Sequence, residues 1–442
     1  MGFAGRSADP PPLRYHGPSP MKPVPPLIDL ESASEAMRSR SRFRVLALIS
    51  AGTMINYLDR TVLGVAAPDM ATDLHLSPTV MGIIFSAFSW SYAAAQIPGG
   101  WLLDRLGTRL TYFLAVAVWS LFTVMQGFAN GIGSLLAFRL GLGVGEAPCF
   151  PTNGRVVATW FRDHERAQAT AVYTVGEYLG LACFGPVLFW LSRRFGWRSL
   201  FLVVGAAGVV FAGIWWALYR EPEAATSATA AARTNRTTWK QIRQLLHYRQ
   251  VWGASIGQFG GNTTLVFFLT WFPTYLARER HIDWIRAGFY AILPFLAAAG
   301  GVLFGGWGSD TLLKRTGSRN LARKLPMVLG LFGASSIILA TAVSSNALVI
   351  AIFSFAFFCQ GLTGLGWTVI SDVAPLELLG ITGGIFSFSA NLAGVITPLL
   401  IGAIIDATGS FYYALAYVGA AALAGALSYV FLLGDVERIV LD

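Results

Sequence analysis

Charge is what this sequence has least of. Asp, Glu, Lys and Arg make up 12% of the 442 residues, against about 25% in a soluble domain, so an ordinary water-facing surface cannot be assembled from it. Cysteine is nearly absent: Cys149, Cys183 and Cys359 all lie in apolar stretches, which excludes a disulfide framework or a zinc knuckle. Five scattered histidines contain no His-x-x-x-His pair, so no metal site is expected. Phosphate-loop and dinucleotide fingerprints are missing too, which argues against ATP drive, and no cofactor is expected. No nucleophile–base constellation and no appended soluble domain stand out, so the chain does not read as an enzyme.

What fills the space is apolar. Hydrophobic residues make up 55% of the chain and the mean hydropathy is +0.57, the composition of an integral membrane protein. The net charge of +9 is compatible with nucleic-acid binding, but most of the excess sits beside apolar runs. The excess of Lys and Arg in cytoplasmic loops explains it more simply, and no nucleic-acid partner is expected. Residues 1–42 are proline-rich and lack apolar periodicity, and read as a disordered cytoplasmic tail. They hold no apolar core followed by a cleavage site, hence no secretory signal. They end in "RSRSRFR".

Apolar runs fall at about 45–67, 80–103, 110–129, 132–156, 167–191 and 198–219, then at 251–276, 286–308, 325–343, 347–371, 380–405 and 411–433. At ~20 residues per span, these predict an all-α integral membrane protein of twelve transmembrane helices in two pseudo-symmetric six-helix bundles. The expected organisation is a tail to 42, a first bundle over 43–220, a cytoplasmic linker over 221–250, a second bundle over 251–435 and a tail over 436–442. The outer loops then hold only Arg193, Arg194, Arg198, Arg278, Arg280 and Arg286. This asymmetry places both termini in the cytoplasm, with the bilayer of the cell's inner membrane as surroundings and a monomer as the expected state.

The halves echo each other. "GGWLLDRLGTR" (99–109) follows span 2 and "GGWGSDTLLKR" (305–315) follows span 8. Repeated six-helix halves with a substrate held between them are a transporter architecture. An aspartate at a helix end can pair with a basic loop, so Asp104, Arg105, Arg109 and Asp310 are candidate gating residues rather than ligands. The Gly100–Arg109 loop also resembles the signature of the major facilitator superfamily. "INYLDR", "RLGLGVGEAPCFP" and "WFRDHERAQA" resemble its anion:cation symporter branch, which includes permeases for galactonate, glucarate, hexuronates and phthalate.

Five ionisable residues lie well inside spans, all in the first half: Asp59, Arg60, Arg139, Glu146 and Glu177. Such residues are expensive in a membrane and mark functional sites by default. Arg139 and Glu146 are two turns apart and face one cavity at different depths. An arginine fork suits a planar carboxylate, and a glutamate in apolar surroundings can carry a proton near neutral pH. Arg60 shares a face with Tyr57, three residues earlier, while Asp59 projects about 100° away, toward span 4, where it can exchange partners with Arg139 or couple to Glu146. The Asp59–Arg139 pair also has a purely structural reading, as a buried ion pair. The resemblance implies that Asp59 and Glu146 are the proton-coupling pair, that Tyr57, Arg60 and Arg139 contact the substrate carboxylate, and that Tyr92 matches a substrate-contacting tyrosine.

Departures from the resembled relatives narrow the reading. Glu177 stands where glutamine is expected, and reads as a proton site, a substrate contact or a glutamate neutralised by a nearby arginine. Trp367 matches a tryptophan of the relatives, whereas Gly364, Gly366 and Ser387 leave a less polar wall. Gln258, Asn262, Ser387 and Asn391 remain as polar contacts of the second half. The expected function is proton-coupled symport by alternating access of an organic carboxylate: a sugar acid, a hexuronate, or an aromatic or dicarboxylic acid. An anion exchanger or facilitator of the same fold is the alternative, and a non-transporting sensor or enzyme the remote one.

Overall fold

A computed structural model describes Gly2 and residues 27–161, 166–221, 243–282, 284–375 and 379–439. Most of the linker expected over 221–250 therefore lies outside the described residues, as does the Asp104 side chain. Every regular element among the described residues is helical. The chain divides into a unit at 1–44 and a large compact unit at 45–442.

The first helix, α1 (Leu27–Asp73), begins directly after Pro26. Residues 27–42, read as part of a disordered tail, are thus helical. The prolines that suggested disorder all lie at 26 or before, and "LIDLESASEAMRSRSRF" contains no helix breaker. Next come α2 (Pro78–Gln126), α3 (Ile132–Glu146), α4 (Cys149–Trp160), α5 (Arg166–Phe195) and α6 (Trp197–Leu218). The remaining helices are α7 (Arg249–Thr270), α8 (Trp284–Thr316), α9 (Arg319–Ala334), α10 (Asn346–Leu362), α11 (Gly366–Val373), α12 (Leu379–Thr408) and α13 (Tyr412–Leu427).

Helix α2 carries two spans, broken at Gly107, where φ is 78° and ψ 172°. This left-handed backbone suits glycine. The carboxylate of Glu221 accepts a hydrogen bond from Thr108 N–H at 2.8 Å and so covers the break. In the second half the matching break is Gly317, φ 66°, four residues further along than the 206-residue repeat would place it, so α8 runs about one turn longer.

Nine helices among the described residues are long and apolar enough to cross a membrane. The expected spans outside that set are the second part of α1, the α3–α4 pair and α7. Each has a reason in its sequence. Helix α1 contains Asn56, Asp59 and Arg60, and α3 and α4 are separated at Ala147–Pro148, because proline cannot continue the hydrogen-bond ladder. Helix α7 carries Gln258, Asn262, Thr263 and Thr264. These three spans carry Tyr57, Asp59, Arg60, Arg139, Glu146, Gln258 and Asn262 of the candidate residues.

Apolar packing differs at the two ends of the bundle. At the end that carries the 73–78 turn, one core spans both halves and joins Val62, Leu63, Phe85 and Leu181 to Phe267, Trp271, Phe357 and Ile401. Helix α2 packs along α12 and α5 along α8. Thr79 Oγ1 donates to Asp406 Oδ2 at 2.6 Å, tying the halves together. At the end that carries the Gly107 break, each half keeps its own core. Ile49, Tyr112, Trp119 and Trp215 form one, and Val251, Leu331, Phe386 and Tyr429 the other. The bundle is closed at the first end and divided at the second.

The described part of the tail expected over 436–442 is docked. Ile439 N–H donates to Val373 O at 2.8 Å, and Val436 and Ile439 are buried in the second-half core. Two apolar side chains in a short segment suffice to dock it.

Close approach of α2 and α12 at the closed end depends on Gly82, where a Cβ would sit 2.5 Å from the Pro398 carbonyl oxygen. Gly82→Val should weaken that end by about 1–3 kcal/mol through overpacking. The expected outcome is a lower apparent melting temperature in detergent and faster labelling of a cysteine introduced at Phe85 by a membrane-impermeant maleimide.

Candidate functional site

The ionisable residues of the first half converge about midway along the bundle. Arg60 lies thirteen residues from the end of α1, about 20 Å at 1.5 Å per residue, within a hydrocarbon core about 30 Å thick. Its guanidinium forms an ion pair with Glu146, Nε donating to Oε2 at 2.8 Å. The arginine side chain is 16% exposed and the glutamate 0%, so Arg60 is reachable from the space between the halves while Glu146 lies behind it. Four aromatic rings enclose the guanidinium: Phe88 at 4.8 Å, Tyr57 and Tyr92 at 5.0 Å each, and Phe150 at 5.9 Å. Cation–π contacts of this kind are worth most where water is excluded.

Helical spacing explains the assembly. Tyr57 and Arg60 are three residues apart on α1, and Phe88 and Tyr92 four apart on α2, so each pair projects from one face. Helix α3 approaches α2 closely because Gly143 faces the Phe88 carbonyl and Ser91. That contact brings Glu146, one turn further on, level with the cage.

Arg139 lies deeper on α3, 2% exposed, with its Cζ 5.3 Å from the Phe88 ring. Its Nε and one terminal nitrogen have no hydrogen-bond partner. Asp59 is buried too, and neither carboxylate oxygen accepts a hydrogen bond. Asp59 lies between two helices: Glu146 and Arg139 of span 4 are in electrostatic reach, as its helical position predicts, and Trp119 and Thr123 of the second span of α2 also sit against it. Arg60 takes Glu146, and the rotation of about 100° to the preceding residue then carries Asp59 to the neighbouring helix. Asp59 and Arg139 form no ion pair, so that structural reading falls.

Glu177 of α5 is 5% exposed and faces the Tyr57 hydroxyl, with Tyr173 and Tyr178 beside it. Glu177 makes no ion pair with a described Lys or Arg; the arginine near it is Arg60, at longer range beyond the Tyr57 ring.

The second-half candidates divide by what their side chains do. Asn262 Nδ2 donates to Ala390 O at 2.7 Å and ties α7 to α12, and Asn391 Nδ2 donates to Ser387 O at 3.0 Å within α12. Both amide groups thus hold backbone. Gln258 Oε1 lies against Gly366. Trp367 stacks edge-on with Phe386 at 5.3 Å and is 54% exposed. Ser387 is half-buried. Sequence reasoning missed Phe88 and Phe150, which complete the cage, and Asn56, fully buried beside Glu146 with both amide atoms unpartnered. The three-residue spacing of Asn56 and Asp59 was the available signal.

The gating candidates engage residues of their own half. Arg109 lies over the Trp216 ring at 4.2 Å and donates to the Trp216 carbonyl, and Arg105 lies over Trp101 at 5.3 Å. Asp310 is 3.7 Å from Arg323, which also pairs with Asp372 at 3.1 Å. None of these described contacts bridges the halves, in keeping with the divided cores at that end.

An all-helical bundle with a repeated architecture, closed at one end and carrying a charge pair at mid-depth, is the build of a polytopic membrane transporter rather than of an enzyme. The sequence matches the Major Facilitator Superfamily over residues 49–321, and the chain belongs to that family. It is 39% identical over 423 residues to a D-galactonate transporter of Escherichia coli O6:H1, covering 91% of this chain and 98% of the relative. A probable galactarate/D-glucarate transporter of E. coli K12 is also 39% identical, over 92% of this chain and 97% of its own. A hexuronate transporter of Bacillus subtilis is 34% identical, over 89% and 95%. Among solved structures, a bacterial homologue of the human lysosomal transporter Spinster superposes with a TM-score of 0.67. It is 23% identical and covers 89% of this chain and 95% of that one, a likeness of fold.

Removing one partner of a buried ion pair strands the other, which costs about 3–5 kcal/mol. Arg60→Met should therefore destabilise the substrate-free protein by that order, and Arg60→Met combined with Glu146→Gln by clearly less. Thermal unfolding in detergent of both variants, with a double-mutant comparison, checks the pair.

Proposed function

We propose that this transporter moves an organic carboxylate of the sugar-acid class together with protons, by alternating access. The observation that carries the reading is the Arg60–Glu146 pair inside its aromatic cage, with the Arg139 guanidinium nearby and short of partners. The relatives' substrates, galactonate, galactarate or glucarate and hexuronate, all present a carboxylate. An arginine fork holds such a group through two parallel hydrogen bonds.

Coupling follows from the sharing of one cation. Without substrate, Arg60 and Glu146 satisfy each other. A proton on Glu146 removes the negative partner and frees the Arg60 fork for a substrate carboxylate, which Arg139 helps to hold. Each ligand removes the cost of binding the other, which is thermodynamic coupling. Asp59, beside the same arginine, serves as the second proton site. Tyr57 and Tyr92 flank the carboxylate, while Gln258, Trp367 and Ser387 face the remainder of the substrate from the second half, where Asn262 and Asn391 hold the backbone that positions them. Residues 43–220 rock against 251–435 around this site. With both termini in the cytoplasm and the chain a monomer in the inner membrane, the divided end is the cytoplasmic one and the state is inward-open. Asp104, Arg105, Arg109 and Asp310 then engage when that end closes.

Uptake into proteoliposomes, with and without an acid exterior, tests the reading over D-galactonate, D-glucarate, hexuronates and aromatic carboxylates. A sugar acid should accumulate only with the proton gradient. Uptake that ignores the gradient and requires an internal counter-anion would make the protein an exchanger.

Glu146→Gln should abolish gradient-driven accumulation while counterflow persists. If that variant still concentrates substrate, the proton site lies elsewhere. Arg139→Ala removes a buried charged partner worth about 2 kcal/mol or more, so substrate affinity should fall by about 30-fold or more in a binding titration.

A further inference from the structure

The site holds more acid than base. Among the described residues, the cations near Asp59, Glu146 and Glu177 are Arg60 and Arg139, and Arg60 is already committed to Glu146. A substrate carboxylate raises the anionic groups to four against two guanidiniums. Unbalanced negative charge in a low-dielectric site is strongly unfavourable, so protons must make up the difference.

Glu177 is the acid for which the fold offers no other answer. It is buried and makes no ion pair with a described Lys or Arg. The groups around it are the Tyr57 hydroxyl and, beyond that ring, the Arg60 guanidinium of α1, and Cys149 of α4. Tyr173 and Tyr178 of its own helix complete the set, with Gln360 of α10 facing Tyr178. Helices α6 and α8, which pack along α5, carry charge only at their ends: Arg198 on α6, and Arg286, Asp310, Lys314 and Arg315 on α8. Tyr57 is the shared element. Its ring covers Arg60 at 5.0 Å, and its hydroxyl oxygen can accept a hydrogen bond from a protonated carboxyl. A carboxylate arriving at Arg60 thus lands one tyrosine away from Glu177, and only the neutral acid tolerates it there.

We propose that Glu177 is an additional proton-carrying group of the transport site, so that one of the protons moved with each carboxylate travels on Glu177. Glu177 takes that proton from the side on which substrate enters and releases it on the side where substrate leaves. This rests on the proton-coupled reading above and deepens it.

The ratio is read from steady-state accumulation in proteoliposomes with the membrane potential clamped at zero. There the slope of log([substrate]in/[substrate]out) against the pH difference equals the number of protons per substrate. The probe is whichever of D-galactonate and D-glucarate the wild type concentrates. Wild type should give a slope of at least two, and Glu177→Gln a slope lower by one, which means tenfold less accumulation per pH unit. Equal slopes in the two proteins, or a wild-type slope of one, would overturn the proposal. A zero slope in wild type instead removes proton coupling altogether, which is a failure of the broader reading.

A second measurement covers a Glu177→Gln protein that inserts but does not transport. Proton uptake on adding the probe to purified protein in weakly buffered detergent should be one proton smaller in the variant. Loss of probe binding in the variant counts against the proposal, because a neutral amide retains the hydrogen bonding of a neutral acid. Should Glu177→Gln not fold, Glu177→Met takes its place in both measurements, with the same outcomes for and against.

Discussion

A guanidinium in the middle of a membrane protein needs an answering charge, and that need organises the first half of this chain. Arg60 is answered by Glu146 at 2.8 Å and by four aromatic faces. To bring Glu146 within reach, α3 must lie close on α2, which Gly143 permits by presenting no side chain to the Phe88 carbonyl. To present Tyr57 and Arg60 on one face, α1 must remain helical through a stretch too polar to count as a plain span. Of the helices that depart from lipid-like composition, α1 and α3 carry the pair. Nine helices among the described residues are apolar enough to cross a membrane.

The halves share an architecture and divide the chemistry. The first supplies charge. The second supplies amide and aromatic groups, several of them occupied with holding the helices in register: Asn262 reaches the backbone of α12, and Asn391 its own preceding turn. On the proposed function, specificity for the uncharged part of a substrate falls to the few groups left over, Gln258, Trp367 and Ser387 among them. The end segment of the chain is also used, docked through Val436 and Ile439 onto the second-half core.

Span positions, the helical class, the repeat and the short roster of buried charges were all legible in the sequence, because each rests on composition or on spacing within one helix. Which charge meets which was not. Arg60 with Glu146 is a contact between residues 86 apart, and one-helix geometry fixes only that Asp59 and Arg60 diverge. Sequence reasoning turned Asp59 toward span 4, but could not show that helix packing also sets it against Trp119 and Thr123. Phe88 and Phe150 looked like ordinary apolar residues for the same reason: an aromatic becomes part of a cage only when another helix brings it a cation. The interruption of span 4 at Pro148, by contrast, is a local effect of one residue type.

Placement of the cage gives the proposed mechanism a physical route from binding to movement. Tyr57 belongs to the core that spans both halves, while Phe88 and Tyr92 belong to the core confined to the first half. Phe150 packs against both. Arg60 therefore sits at the seam between the closed end and the divided end. Interiors are densely packed and bistable rather than continuously deformable, so a change in what Arg60 holds shifts rings that lie on either side of that seam. Glu146 stands at the last residue of α3, one step before the break at Ala147–Pro148, where the backbone ladder is already interrupted and a small rotation costs least. A charge pair placed elsewhere along these helices would be equally strong as an interaction, but it would have no purchase on the boundary between the two packing arrangements.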